Sequence, residues 1–290
     1  MPIVFGAVTP HGWTLIPELS EDPGTTPNVR KALFDLGKRC AAARPDVVVI
    51  AGPHNVRIDG HVAIAGSGRA AGTLKYQGNQ VEMNVPIDLA LTDAIAVAAR
   101  ARNVPVATWG YAGNQRSESG APLDWGILVP LWFLGHGRNM VGHGDVLAEK
   151  PEHDEGPPIV LINPSRALPL HDLVTLGQAV ADAANADGRR VAFVASCDWS
   201  HAHAGSRYGA HPDAEIVDGL VVEALKASDP GRLINLKPDQ IKNAAIDGLW
   251  QALMLAGVMK ETPMRGDVLA YEVESGSSCG MAVAWYEPVA

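Results

Sequence analysis

Short apolar runs rich in β-branched residues recur at residues 2–8, 46–51, 61–65, 104–109, 158–162, 190–196, 267–273 and 281–287. Their length and composition predict strands. Between many of them the apolar positions step by three and four, the period of a helix with one buried face. Residues 28–43 carry Val29, Leu33, Leu36 and Cys40 in this way and close on Arg44-Pro45. Residues 87–102 follow Pro86 with Leu91, Ile95 and Ala98 on one face, and 168–187 and 213–226 are further amphipathic segments. The longest, 238–259, interleaves Ile241, Ala245, Trp250, Leu253 and Leu255. Strands alternating with helices predict an α/β fold: a single domain over residues 1–290, with a central mostly parallel or mixed β-sheet flanked by helices on both faces. The last two runs, joined by Ser275-Gly276-Ser277-Ser278, predict an antiparallel hairpin near a sheet edge. Residues 66–78, rich in Gly and Ala, and 142–158, rich in charge, Gly and Pro, read as loops. The second reads as a surface excursion and not a domain boundary, because strand–helix alternation resumes after it.

Composition narrows the class. At 290 residues the chain is long enough to bury a sizeable core. A net charge of −9, with no run of Lys or Arg, argues against nucleic acid as a partner. Cys40, Cys197 and Cys279 are too few and too far apart for a disulfide framework or a paired-cysteine zinc site, which suits a reducing compartment. No apolar run approaches the roughly 18 residues that a membrane-spanning helix needs, and the N-terminus enters a strand without a leader-like segment. The expectation is a soluble cytoplasmic protein.

Three of the predicted strands run into histidines. Residues 3–8 lead to Thr9-Pro10-His11-Gly12, residues 47–51 to Gly52-Pro53-His54-Asn55, and residues 191–196 to Cys197-Asp198-Trp199-Ser200-His201-Ala202-His203. Ligands of open α/β sheets bind beyond the carboxyl ends of the strands. The proline before His11 and His54 stops the strand and presents the imidazole from a stiff turn, as a metal ligand requires. Two histidines and one carboxylate on one face suit non-haem Fe(II). Asp198 and Asp247 are the candidate carboxylates, with Glu215 and Glu18 behind them. Asp247 falls within the predicted apolar helix, where it is either buried with a partner or metal, or exposed on a polar face. An imidazole in water changes charge near neutrality, so His201, on the turn after the third strand, is the candidate for proton transfer. His203 is either a polar contact at the same site or solvated, the solvated reading being favoured. The histidines at 136, 143 and 153 fall in Gly- and charge-rich loops. Phosphate-binding glycine loops and a nucleophile elbow are absent.

Taken together, Thr9-Pro10-His11-Gly12, Ala51-Gly52-Pro53-His54-Asn55, Pro122-Leu123-Asp124-Trp125-Gly126-Ile127-Leu128-Val129-Pro130-Leu131 and Asp198-Trp199-Ser200-His201 resemble the class III extradiol ring-cleavage dioxygenases of the protocatechuate 4,5-dioxygenase β-subunit type. The resemblance spans nearly the whole chain. It implies Fe(II) held by His11, His54 and a carboxylate matched by Asp247, with His201 as acid–base. It also implies a catechol-like or aminophenol-like aromatic substrate opened with O2, and a homo-oligomer or a pairing with a small second subunit. Two positions depart from the family pattern. Trp125 stands where the family has a second acid–base histidine, and is expected to stack against a substrate ring; Asp247 stands where the family commonly has Glu. A zinc-dependent hydrolase and a non-catalytic scaffold of the same fold are the alternative readings.

Overall fold

Buried parallel strands need no polar face, and the runs at 47–51, 159–163 and 191–196 have none: every residue in them is buried. The computed structural model describes residues 2–111, 114–137 and 156–289. The elements are β1 (Ile3–Thr9), α1 (Pro27–Ala43), β2 (Val47–Ala51), β3 (Val62–Ala65), β4 (Arg69–Tyr76), β5 (Asn79–Pro86), α2 (Leu89–Ala101), β6 (Val106–Trp109), β7 (Gly120–Pro122), α3 (Trp125–Leu131), β8 (Ile159–Asn163), α4 (Leu170–Asp187), β9 (Val191–Ser196), α5 (Asp213–Lys226), α6 (Pro238–Asn243), α7 (Leu249–Glu261), β10 (Met264–Glu274) and β11 (Cys279–Pro288).

Eight strands form a mixed sheet in the order β10-β11-β1-β9-β2-β8-β3-β6. Its centre, β1-β9-β2-β8, is parallel, so four consecutive carboxyl ends emerge along one edge. The register sets Thr9 beside Ser196 and Ala51 beside Ala195, which brings those ends level. β11 and β3 flank this centre antiparallel, and β10 closes one side as the outer strand of a hairpin. One face of the sheet packs Val49, Phe193 and Ile162 against α2, α4 and α7. The other packs Ile50, Val194 and Leu161 against α1 and α3. The α/β class, the mixed sheet, the helices on both faces and the edge hairpin agree with the sequence pattern. Among the described residues no helix is long and apolar enough to cross a membrane.

Three expectations change. Residues 66–78 are not a loop: β4 occupies 69–76 and joins β5 and β7 in a second, three-stranded sheet. A side chain at Gly72 would meet the Leu123 carbonyl oxygen at 1.9 Å, so glycine marks a close strand approach there. The helix expected over 238–259 is broken into α6 and α7, and Asp247 lies in the break, not within a helix. His136, expected in a loop, is buried, and its Nε2 lies 2.7 Å from the Pro157 carbonyl oxygen. The excursion expected over 142–158 lies outside the described residues up to 155, as do His143 and His153.

Candidate metal centre

Each of the four central strands delivers a side chain to the same edge. β1 leads through Pro10 to His11, β2 through Pro53 to His54, β8 through Pro164 to Arg166, and β9 to Asp198 and His201. The His54 turn is held from two sides. Asn163 Nδ2 donates to the carbonyls of Gly52 and His54, and Asn55, in the left-handed region at φ 76°, donates its side-chain amide to Pro122 O at 2.7 Å.

β9 separates β1 from β2, yet the two imidazoles converge across it, with ring centroids 5.2 Å apart and planes at 85°. Asp247 completes the group: its Oδ2 lies 3.6 Å from His11 Nε2 and 3.7 Å from His54 Nε2. One ligand atom from each of the three lies within 4.8 Å of the others. The Asp247 backbone N–H donates to Trp199 O at 3.3 Å, and its Oδ1 accepts from Arg166, whose guanidinium also sits 4.9 Å from the Trp250 ring centroid. Asp247 Oδ2 is buried without a hydrogen-bond partner. An orphaned carboxylate oxygen facing two imidazole nitrogens is the arrangement a divalent cation satisfies, and the two-His, one-carboxylate donor set fits Fe(II).

The imidazoles are prepared for the role. Ser196 Oγ donates its hydrogen to Gly126 O and therefore accepts from His11 Nδ1, 3.0 Å away, which leaves the lone pair on Nε2 facing Asp247. Burial, against the pull of Asp247, depresses the His11 pKa to about 4. Burial and the neighbouring His11 depress His54 to about 4 as well, so both rings are neutral at pH 7. His54 Nδ1 looks toward Asp124 Oδ2 at 3.8 Å, and burial raises the Asp124 carboxyl to about 6. Asp198 braces the other side. Its Oδ1 accepts from the His11 backbone N–H at 3.0 Å, and its Oδ2 lies 3.3 Å from His11 Nε2.

A cavity of ≈ 1100 Å³ opens onto this group. His201 lines it, and its Nδ1 faces the carbonyls of Trp199 and Ala245 at 3.0 and 3.2 Å. The proton therefore sits on Nδ1 and Nε2 is the basic nitrogen. Ala245 holds a left-handed φ of 49° in the break between α6 and α7. Trp125 also lines the cavity, its ring 4.4 Å from that of His54 and edge-on to Trp13 at 6.0 Å. His203 does not line it, and the favoured solvated reading is corrected. The residue is buried and bonded through Nε2 to Asp218 Oδ2 at 2.9 Å. Asp218 also accepts from the backbone and hydroxyl of Ser200 and from Tyr271, and so clamps the turn that carries His201. Glu215 and Glu18 are exposed and absent from the cavity wall. Sequence reasoning missed Arg166, Ser196 and Asp218. Arg166 had a signal, since Asn163-Pro164-Ser165-Arg166 repeats the strand-then-proline form of both histidine turns.

The family model described as the catalytic LigB subunit of aromatic ring-opening dioxygenase matches residues 6–282. A curated relative, Protein CA_C1420 of Clostridium acetobutylicum, is 24% identical over 275 residues, covering 94% of this chain and 55% of its own. The chain thus spans about half the length of that relative. The crystal structure of an uncharacterized Escherichia coli K12 protein, JW3007, aligns with a TM-score of 0.59 at 14% identity, over 97% of this chain and 99% of its own. That likeness is one of fold.

Proposed function

The chain belongs to the family of catalytic LigB subunits of aromatic ring-opening dioxygenases, and from that premise we propose that it is an Fe(II)-dependent extradiol dioxygenase acting on a catechol-like or aminophenol-like ring. The observation that carries the reading is the orphaned Asp247 Oδ2 set between the Nε2 atoms of His11 and His54 at the floor of an aromatic-lined cavity. His11, His54 and Asp247 would hold the metal. When bound, Fe(II) supplies a Lewis acid for two adjacent ring substituents and an electron path from the ring to O2.

The chain's own residues supply the remainder. His201 Nε2 accepts the proton of a ring hydroxyl as substrate binds and returns it as the ring opens, both atoms of O2 entering the product. Trp13, Trp125, Tyr208 and Trp250 wall the cavity with faces suited to an aromatic ring and exclude water from the reacting edge. Arg57, Arg207 and Lys242 line the same space and give an acidic ring substituent a counter-charge. A family described by a catalytic subunit fits further subunits around this domain, a second copy or a small partner, and the three free, buried cysteines fit a reducing cytoplasm.

The experiment is O2 uptake by anaerobically Fe(II)-loaded protein across a panel of catechols and aminophenols, with product absorbance followed in parallel. Uptake with a ring-opened chromophore is expected. His11→Ala and His54→Ala should lose iron, whereas His201→Ala should retain it and lose turnover. Loss of iron in His201→Ala would remove its assigned role. A tightly held zinc ion with no uptake on any substrate would overturn the dioxygenase reading in favour of a metal hydrolase.

A further inference from the structure

Beside the His11–His54–Asp247 group lies a second convergence of donors that the dioxygenase reading does not use as ligands. Asp198, His201 and Cys279 each bring one ligand atom within 4.8 Å of the other two. They come from separate parts of the fold. Asp198 and His201 sit on the turn after β9, and Cys279 opens β11. Backbone bonds lock these segments together: Trp199 N–H donates to Gly280 O at 2.8 Å and Gly280 N–H to Ser200 O at 3.0 Å. The donors are therefore held by strand pairing and not by a loose loop. Asp198 Oδ2 lies 3.7 Å from Cys279 Sγ, a separation two ligands of one tetrahedral ion adopt.

The chemistry of this set differs from that of its neighbour. Two imidazoles and a carboxylate offer only nitrogen and oxygen, whereas this group adds a sulfur. Thiolate with imidazole and carboxylate is the ligand palette of zinc, and soft donors select against Fe(II). A second carboxylate borders the sulfur. Glu274 wraps its carboxylate around the amides of Gly276 and Ser277 and the Ser277 hydroxyl, and that hydroxyl lies 3.0 Å from Cys279 Sγ. Among the described residues no Lys or Arg forms an ion pair with Asp198.

We propose that Asp198, His201 and Cys279 form a second metal site, selective for a thiophilic divalent cation of the zinc class, adjacent to the His11–His54–Asp247 group. Filling it ties up the His201 imidazole. The inhibitory consequence rests on His201 being the proton-handling residue; the binding does not.

Cobalt(II) titrated into reduced, metal-free protein under argon reads the site without any substrate, because a thiolate-to-cobalt charge-transfer band requires a sulfur ligand. The band is expected in the wild type, in His54→Ala, which lacks the neighbouring group, and in Cys40→Ser, and it should be lost in Cys279→Ser. Its absence from the wild type, or its persistence in Cys279→Ser, would overturn the site. Should Cys279→Ser not fold, His201→Ala decides: weakened cobalt affinity of the band supports the site, and unchanged affinity refutes it. Zinc added to active iron-loaded protein should then stop O2 uptake in the wild type but not in Cys279→Ser. Uptake that continues with the sulfur site filled leaves the site standing and removes proton transfer from His201.

Discussion

Ser196 Oγ has one hydrogen to give, and it goes to the Gly126 carbonyl. What remains for His11 Nδ1 is an acceptor, and that single fact fixes the tautomer of a fully buried ring. Ser196→Ala should leave the fold intact and weaken iron binding by about 10–100-fold, the usual effect of removing a partner behind a metal-bound histidine. Competition against a chromogenic chelator measures this, and affinity equal to wild type would show that the ring is oriented by other contacts. His11 and His54 were legible in the sequence because strand, proline and imidazole are contiguous there. Arg166 was equally contiguous but carries no metal-ligating atom, so a search for ligands passes over it. Ser196 and Asp218 act through groups that are distant in the chain, at separations of 185 and 15 residues, and no local pattern encodes such a bond. Asp247 was one of two candidate carboxylates by its chemistry and was singled out by the family resemblance, although its setting was misjudged.

The break between α6 and α7 shows why it was misjudged. Apolar residues keep a helical spacing across 238–259, and nothing in that period signals an interruption. The interruption is tertiary: the turn after β9 wedges in, with His201 N–H donating to Ala244 O at 2.9 Å and Asp247 N–H to Trp199 O. Left-handed Ala245 carries the reversal, a conformation that disfavours most side chains. Propensity is a weak prior where such contacts compete. The small sheet of β4, β5 and β7 was missed for a related reason, since its glycine serves close packing and mimics a loop composition. Helix α7 is then pinned by its approach to α4. A Cβ on Gly257 would stand 1.9 Å from Val174 O, and one on Gly177 1.9 Å from Met254 O. Gly257→Ala should therefore force the two helices apart and cost about 1–3 kcal/mol, the range for overpacking a filled core. Denaturant unfolding of the metal-free protein reads the loss, and because Asp247 leads directly into α7, iron affinity should fall with it. Unaltered stability would mean that the helices part freely at this crossing.

At the scale of the molecule, alternation of strands and helices foretold the layers but not their order. That β9 inserts between β1 and β2 is a long-range pairing, and this insertion brings Asp198 and His201 between the two histidine turns. Periodicity describes which face a residue presents and says nothing about which strand lies alongside. The same burial that assembles the site sets its response to acid. His11 has a pKa of about 4 in the folded chain against an ordinary 6.5, with desolvation as the leading cause. Between those values the unfolded chain binds the proton and the folded chain does not, so stability rises with pH across the window and is lost as pH falls from 6.5 toward 4. His54 acts in the same direction. Asp124, raised to about 6, acts oppositely, since its folded form holds the proton more tightly. Whole-protein acid stability mixes these signs, and only a difference isolates one of them. The stability of metal-free wild type relative to His11→Gln should therefore shrink as pH falls from 6.5 toward 4. The slope expected from one fully buried histidine is about 1.4 kcal/mol per pH unit. Urea midpoints collected for both proteins at several pH values supply the comparison. Parallel curves would show that His11 titrates in the folded chain as it does in the unfolded one, and that burial at the sheet edge does not hold it neutral.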